Sequence, residues 1–410
     1  MSLIENESAR KTMVELSRAG YAGVPQLKFE GEPVLAALRK LGTELWLDTG
    51  DLQKARPLWR REFSALTTNN TLVNQVVQTG AMDEVIQKAV GAFESLPSED
   101  DRVMAVAFVV NCKVALGLVE ALAAKVSVEL HPGIARDVDA TVEYGKLYYS
   151  VCPEQFFVKV PLTPEGYCAA RRLRKEGVPV NFTVGFSARQ NYLAAAFSGP
   201  KYCNVFLGRL NSVVADNGLG DGKYVGEKAT LATQKEILRL RAEERSKTRL
   251  IAASLRSAQQ MADLAGVDVH TAPPQVAEGF LALRPSDIRF QVQTNYEVKL
   301  KEGLDERSTG LDILWTVDHK FRKFVDDLEK GSPDSLTGED MVKASEDHGV
   351  GLFRRFTKEE IAEIAERGKI PDLARWQGKA ALDDLMTHCA LQSFATDQKS
   401  LDDRIRSFVK

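Results

Sequence analysis

The chain has only five cysteines and five histidines among 410 residues, and neither set is spaced to act as a group. Cys112, Cys152, Cys168, Cys203 and Cys389 include no CxxC pair and are odd in number. That argues against a disulfide framework or a structural zinc site and for a reducing cytoplasm. The histidines show no HExxH spacing, so no metal is expected. A net charge of −3 supplies no basic field, which excludes broad binding to nucleic acid or anionic membrane and leaves small anionic ligands open. The longest unbroken apolar run, near Met104 to Val110, is far shorter than the roughly 20 residues a membrane span needs. Residues Met1 to Lys11, with Glu5, Glu7 and Arg10, read as neither a secretory leader nor a transit peptide. No glycine-rich dinucleotide turn follows a strand; Asn217 to Gly226, the one glycine-rich stretch, reads as a mobile loop rather than a phosphate cradle.

What is present suits an α/β enzyme. With 44% hydrophobic and 27% charged residues, the chain can bury a full core in one decorated domain or two. Clusters of β-branched and aromatic residues predict short strands at Leu45 to Asp48, Ser64 to Thr67, Val126 to Leu130 and Phe156 to Val160. Four more are predicted at Val180 to Val184, Tyr202 to Leu207, Leu250 to Ser254 and Val267 to Thr271. Helical patterns intervene at Val73 to Phe93, Arg102 to Ala124, Ala135 to Tyr149, Pro164 to Glu176, Ala188 to Phe197, Glu227 to Glu244, Ser257 to Ala265 and Pro274 to Leu283. Strands apolar on both faces, alternating with helices eight times, predict a (β/α)8 TIM barrel, α/β in class, with additional N-terminal and C-terminal helices.

Lys159 is the only charged residue in Phe156-Phe157-Val158-Lys159-Val160-Pro161. An amine withdrawn from water disfavours its ammonium form, and a neutral amine attacks carbonyl carbon to form a Schiff base. In this fold, active sites collect at the C-terminal ends of the strands, and the polar residues follow that rule. Asp48, Thr67 with Asn69, Glu129 and Lys159 close the first four strands; Asn181 and Thr183 lie in the fifth, Arg209 follows the sixth, and Ser254 with Arg256 follows the seventh. Such a rim suits carbon–carbon bond chemistry on a phosphorylated sugar. Lys159 would form the iminium, Asp48 would move the proton of the hydroxyl on the breaking side, and Glu129 with Thr183 would move protons through a water. Asn69 and Asn181 would hold sugar hydroxyls, while Arg209, Arg256 and Ser254 would take the phosphate.

Three segments resemble the transaldolase family. Leu45-Trp46-Leu47-Asp48-Thr49-Gly50-Asp51 with Thr67-Thr68-Asn69 is similar to its opening strand and TTN motif. Phe157-Val158-Lys159-Val160-Pro161-Leu162-Thr163-Pro164-Glu165-Gly166 is similar to its lysine signature. Asn181-Phe182-Thr183, Phe206-Leu207-Gly208-Arg209 and Ala253-Ser254-Leu255-Arg256 resemble its substrate-binding strands. The resemblance implies Lys159 as the Schiff-base residue, Asp48 as general acid/base, and Glu129 with Thr183 around the catalytic water. Asn69 and Asn181 would contact a dihydroxyacetone unit, Ser254, Arg209 and Arg256 the phosphate, with Thr67, Asn204 and Phe206 as further substrate contacts. The implied reaction, in the pentose phosphate pathway, converts sedoheptulose 7-phosphate and glyceraldehyde 3-phosphate to erythrose 4-phosphate and fructose 6-phosphate, without a cofactor. Asn70 stands where the family usually has proline, which predicts a looser turn, and Asn204 stands where serine is usual.

Four regions are expected: a helical lead-in over 1–41, the catalytic barrel over 42–283, a helical insertion over 284–380, and a C-terminal helix over 381–410. Within the insertion, helices are predicted from Ser308 to Lys330, from Gly338, and over Phe356 to Arg367 with Thr357 as N-cap and Glu360 three residues later. The insertion is expected mainly to thicken the shell, and a homodimer is left open. Two other functions compete. A fructose-6-phosphate aldolase-like lyase would release the three-carbon unit, but such relatives carry tyrosine where Phe206 stands and glutamine where Glu129 stands. A non-catalytic sugar-phosphate-binding barrel would keep the fold without the chemistry.

Overall fold

In the computed structural model, which describes residues 3–409, eight parallel strands pair in chain order and close on themselves. They are β1 (Glu44–Asp48), β2 (Phe63–Thr67), β3 (Lys125–Glu129), β4 (Phe156–Pro161), β5 (Val180–Thr183), β6 (Tyr202–Phe206), β7 (Arg249–Ala253) and β8 (Val269–Ala272). The expected barrel is therefore observed. Val184 and Ser254 fall just outside β5 and β7 because both turn to positive φ, +57° and +63°, at the strand ends. For β-branched Val184 this is a costly conformation, held where the C-terminal helix donates the Thr387 hydroxyl to its carbonyl.

Period-two alternation explains how the interior is layered. Trp46 of β1, Phe157 of β4 and Tyr202 of β6 meet across the barrel, with ring centroids 4.7 to 5.6 Å apart, so all three point inward. Two residues further along each strand stand Asp48, Lys159 and Asn204. An aromatic plug thus forms the floor, and the next inward layer, at the C-terminal rim, is polar.

Some helices differ from expectation. The stretch expected as one helix from Val73 to Phe93 is two, Asn70–Gln78 and Asp83–Ala92, because Gly80 at φ +83° ends the first. Ala188–Leu193 continues as a π turn over Ala194–Ser198. Ser308 to Asp318 is mostly turn, since the Asp305 carboxylate binds the backbone N–H groups of Arg307 and Ser308, and the helix starts only at His319, capped by Asp318. The Thr357 capping box is formed as expected, with helix Lys358–Arg367 behind it. The glycine-rich loop is packed rather than open: a Cβ on Gly222 would lie 2.2 Å from the Asn211 carbonyl oxygen, and Gly220 bridges to Leu300.

Among the described residues one helix, Glu99–Leu122, is long and apolar enough to cross a membrane, although Asn111 and Lys113 break its apolar run. Within the fold, 78% of its most apolar stretch is buried. It packs on the barrel, on the N-terminal helix Glu7–Arg18 and on the C-terminal helix Leu382–Arg406, which accounts for its apolarity on most sides.

Candidate active site

The register of neighbouring strands places Glu129, Lys159 and Asn181 side by side, Glu129 opposite Lys159 and Lys159 opposite Asn181. Lys159 is 4% exposed, and its Nζ donates to the Thr68 carbonyl at 3.1 Å and lies 3.7 Å from Glu129 Oε2. The two buried side chains hold each other, and beyond this contact Lys159 has the Thr68 carbonyl and Glu129 the Asn70 N–H. The amine is therefore available for chemistry rather than locked in a network. Asn181 donates to the Ser127 hydroxyl at 2.9 Å, one layer below, while its amide oxygen has no protein partner.

Across the cavity, Asp48 accepts from the Thr67 hydroxyl at 2.7 Å, and that hydroxyl is itself 2.7 Å from Thr271 Oγ1. Burial pushes the Asp48 carboxyl above its ordinary range, opposed by the positive charge of Lys159, the Thr67 bond and Arg256. Glu129 is raised for the same first reason, against Lys159 and an N–H from Asn70, with Asp48 adding to the rise. Both carboxyls thus hold protons more readily than surface carboxylates, which suits groups that accept and return them.

Around this pair lies a cavity of ≈ 160 Å³. Ten of the twelve candidate residues line it: Asp48, Thr67, Asn69, Lys159, Asn181, Asn204, Phe206, Arg209, Ser254 and Arg256. Glu129 and Thr183 are not in its wall; Glu129 sits behind Lys159, and Thr183 is fully buried with a hydroxyl that has no protein partner. Asn69 caps helix Asn70–Gln78 through its side-chain oxygen, at 2.8 Å from Leu72 N, which leaves its amide nitrogen for a ligand. Asn204 is committed differently. Its side chain bonds Gly185 N at 3.1 Å and Phe182 O at 2.8 Å, so it holds the end of β5 in place as well as lining the cavity.

Arg209 lies 5.4 Å from the Phe206 ring and 5.6 Å from the Phe394 ring, with Nη1 buried and without a hydrogen-bond partner. Burial, and then the neighbouring Arg256, draw its guanidinium down to about 10. A buried cation with an idle donor and a second cation beside it favours an anion in the cavity. Gly208 makes this approach feasible: a Cβ there would lie 2.2 Å from Ser254 O and 2.7 Å from Arg256 Cγ. The left-handed Ser254 and the absence of a side chain on Gly208 together lay Arg256 across the start of helix Leu207–Asp216.

Sequence reasoning missed four contributors. Thr271 follows the same inward alternation on β8 and was legible from it. Thr71, Phe394 and Lys369 come from outside the strands, and their approach depends on long-range packing. Phe394 is carried by the C-terminal helix, which is tied to helix Asn70–Gln78 by a Thr71 to Asp397 hydrogen bond and by Gln78 to Ser400 at 3.3 Å. Lys369 comes from the turn after helix Lys358–Arg367, within the region expected as an insertion. Asn70 also departs from expectation. It is the first residue of helix Asn70–Gln78 rather than part of a loose turn, and its N–H donates to Glu129 Oε2 at 3.3 Å, a bond proline could not make.

Residues 45–331 match the family model described as transaldolase/fructose-6-phosphate aldolase. A protein named probable transaldolase from Thermus thermophilus is 30% identical over 249 residues, covering 60% of this chain and 93% of that relative. A transaldolase from Xanthomonas euvesicatoria is 29% identical over 253 residues, covering 60% of this chain and 76% of its own. One from Prochlorococcus marinus is 25% identical over 311 residues, reaching 69% of this chain and 88% of the relative.

Proposed function

Since the chain belongs to the transaldolase/fructose-6-phosphate aldolase family, we propose that it is a transaldolase, moving a dihydroxyacetone unit between sugar phosphates of the pentose phosphate pathway through a Schiff base on Lys159. The donor would be sedoheptulose 7-phosphate and the acceptor glyceraldehyde 3-phosphate. The observation that carries this reading is the buried Lys159 amine with Glu129 3.7 Å away and Asp48 in the wall of the same cavity.

Lys159 attacks the ketose carbonyl, and Glu129, with Thr183 assisting through a water, relays protons as the carbinolamine loses water. Asp48 then accepts the proton of the hydroxyl on the far side of the breaking bond. The iminium takes up the electron pair as an enamine while the first aldehyde leaves; the enamine attacks the acceptor aldehyde as Asp48 returns the proton, and water hydrolyses the iminium so formed, freeing the new ketose and Lys159. Arg209, Arg256 and Ser254 hold the phosphate, and Asn69 and Asn181 orient the three-carbon unit. Transfer rather than release is supported by Glu129 and by Phe206, whose phenyl ring in the cavity wall has no proton to offer the enamine.

Acceptor dependence tests this choice. Fructose 6-phosphate should be consumed only when erythrose 4-phosphate is supplied, with sedoheptulose 7-phosphate formed in equal amount. Free dihydroxyacetone produced at the same rate without an acceptor would make the enzyme a lyase.

A further inference from the structure

We propose that Lys369, delivered by the insertion, is a third cation at the phosphate end of the cavity and sets the preference for phosphorylated over unphosphorylated sugars. The inference rests on the sugar-phosphate reading of the same site.

Lys369 lines the cavity together with Arg209 and Arg256, although it lies 113 residues after the latter in the chain. Its placement is defined. Helix Lys358–Arg367 ends at Gly368, whose φ of +76° turns the chain, and two hydrogen bonds anchor the turn on its C-terminal side: Asn217 Nδ2 to Pro371 O at 3.0 Å and Leu373 N to Asn217 Oδ1 at 2.8 Å. Asn217 directly follows helix Leu207–Asp216, whose first turn carries Arg209. The turn with Lys369 is thus fastened to the element that carries the buried arginine.

The nearby arginines of the insertion are already paired, Arg367 with Asp372 and Arg375 with Glu363. Lys369 makes no hydrogen bond or ion pair among the described residues and is exposed. Arg209 offers an unpartnered buried Nη1, and Arg256 forms no ion pair among the described residues, its charge reaching Asp48 only through space. Acidic groups face the cavity too: Asp48 in its wall, Glu129 behind Lys159, and Asp397, which is close enough to act on Arg209. Asp48 acts on Arg256, and Glu129 and Asp397 on Arg209, through space only; none of the three cations is ion-paired among the described residues, so all three are left for a phosphate dianion. A lysine suits this role because its ammonium on a flexible stem follows phosphates of differing reach, whereas the two arginines fix geometry. Solvent screens an exposed ammonium, so its contribution is moderate and falls with salt.

Equilibrium binding of fructose 6-phosphate to the Lys159→Met protein, where no imine forms, isolates recognition from chemistry. Adding Lys369→Ala should weaken that binding about fivefold at low salt, less at high salt, while Lys369→Arg restores it; Arg256→Ala serves as the control that must weaken it. In the catalytically intact background, with fructose 6-phosphate saturating, Lys369→Ala should raise KM for erythrose 4-phosphate while the KM for erythrose stays the same. Unchanged binding of fructose 6-phosphate, or equal losses with erythrose and its phosphate, would overturn the proposal. A wild-type protein that binds fructose 6-phosphate without forming an imine would defeat the transferase reading alone, and the binding ratio would still decide the role of Lys369.

Discussion

Lys159 Nζ lies 3.7 Å from Glu129 Oε2, with the two side chains only 4% and 5% exposed. Neither group has water to fall back on, so each is a principal polar partner of the other. Replacing Lys159 by methionine removes the nucleophile but nearly keeps the volume, and Glu129, already raised by burial, can take a proton. Turnover should fall by at least about a thousandfold with the circular-dichroism spectrum and cooperative melt retained. Near-normal transfer by Lys159→Met would rule out the mechanism.

Asn70 supplies Glu129 with a backbone donor at the first position of a helix, where proline is well tolerated. That donor holds the Glu129 pKa down against burial. Asn70→Pro removes it without breaking the helix, so Glu129 should stay protonated to higher pH. The acidic limb of kcat/KM should therefore lie at higher pH in the variant than in the wild type. An unshifted limb at normal stability would mean that Glu129 is not the titrating group.

Phe394 stands between the two functional cations, its ring 5.9 Å from Lys159 Nζ and 5.6 Å from the Arg209 guanidinium carbon. Truncation to alanine should cost about 3 kcal/mol of stability and admit water to the enamine. Measured in turnover, Phe394→Ala should release dihydroxyacetone without an acceptor faster than the wild type does. A variant equally stable and equally tight toward water would show that the ring is only a cover.

Two buried histidines bear on acid stability. Burial lowers His270 to about 4 and His388 to about 3, so both stay neutral in the fold while the unfolded chain protonates near pH 6.5. Their contribution is full above about pH 6.5 and is lost as pH falls toward those values, at about 1.4 kcal/mol per pH unit for each. The raised carboxyls of Asp48, Glu129 and Asp384 act in the opposite direction, since the folded state protonates them first. Urea unfolding between pH 6 and 4.5 should therefore show His270→Gln with a pH slope flatter than the wild type by about one proton. Parallel slopes would place His270 in contact with solvent.

Most of the barrel is encoded locally. Every strand was legible because a parallel strand covered on both faces is a short apolar run, and the polar residues that interrupt those runs, Asp48, Glu129, Lys159 and Asn181, mark the rim. The remainder depends on which distant segments fold over the mouth. Phe394 reads as an ordinary apolar position of a helix, and long-range links such as Thr71 to Asp397 and Gln78 to Ser400 bring it to Lys159. Lys369 reads as a surface lysine until Asn217 fastens its turn to the helix of Arg209. Asn70 reads as a lost constraint from its side chain, whereas its N–H is what touches Glu129. The break at Gly80 was not legible because one glycine within an apolar helical period does not by itself end a helix.

Borohydride reduction in the presence of fructose 6-phosphate, followed by peptide mass mapping, examines the Schiff base itself. A three-carbon adduct on the peptide containing Lys159, absent from Lys159→Met, is the expected result. No adduct on any lysine, or an adduct on another lysine with Lys159 unmodified, would contradict covalent catalysis at this residue and leave a barrel that binds sugar phosphates without joining to them.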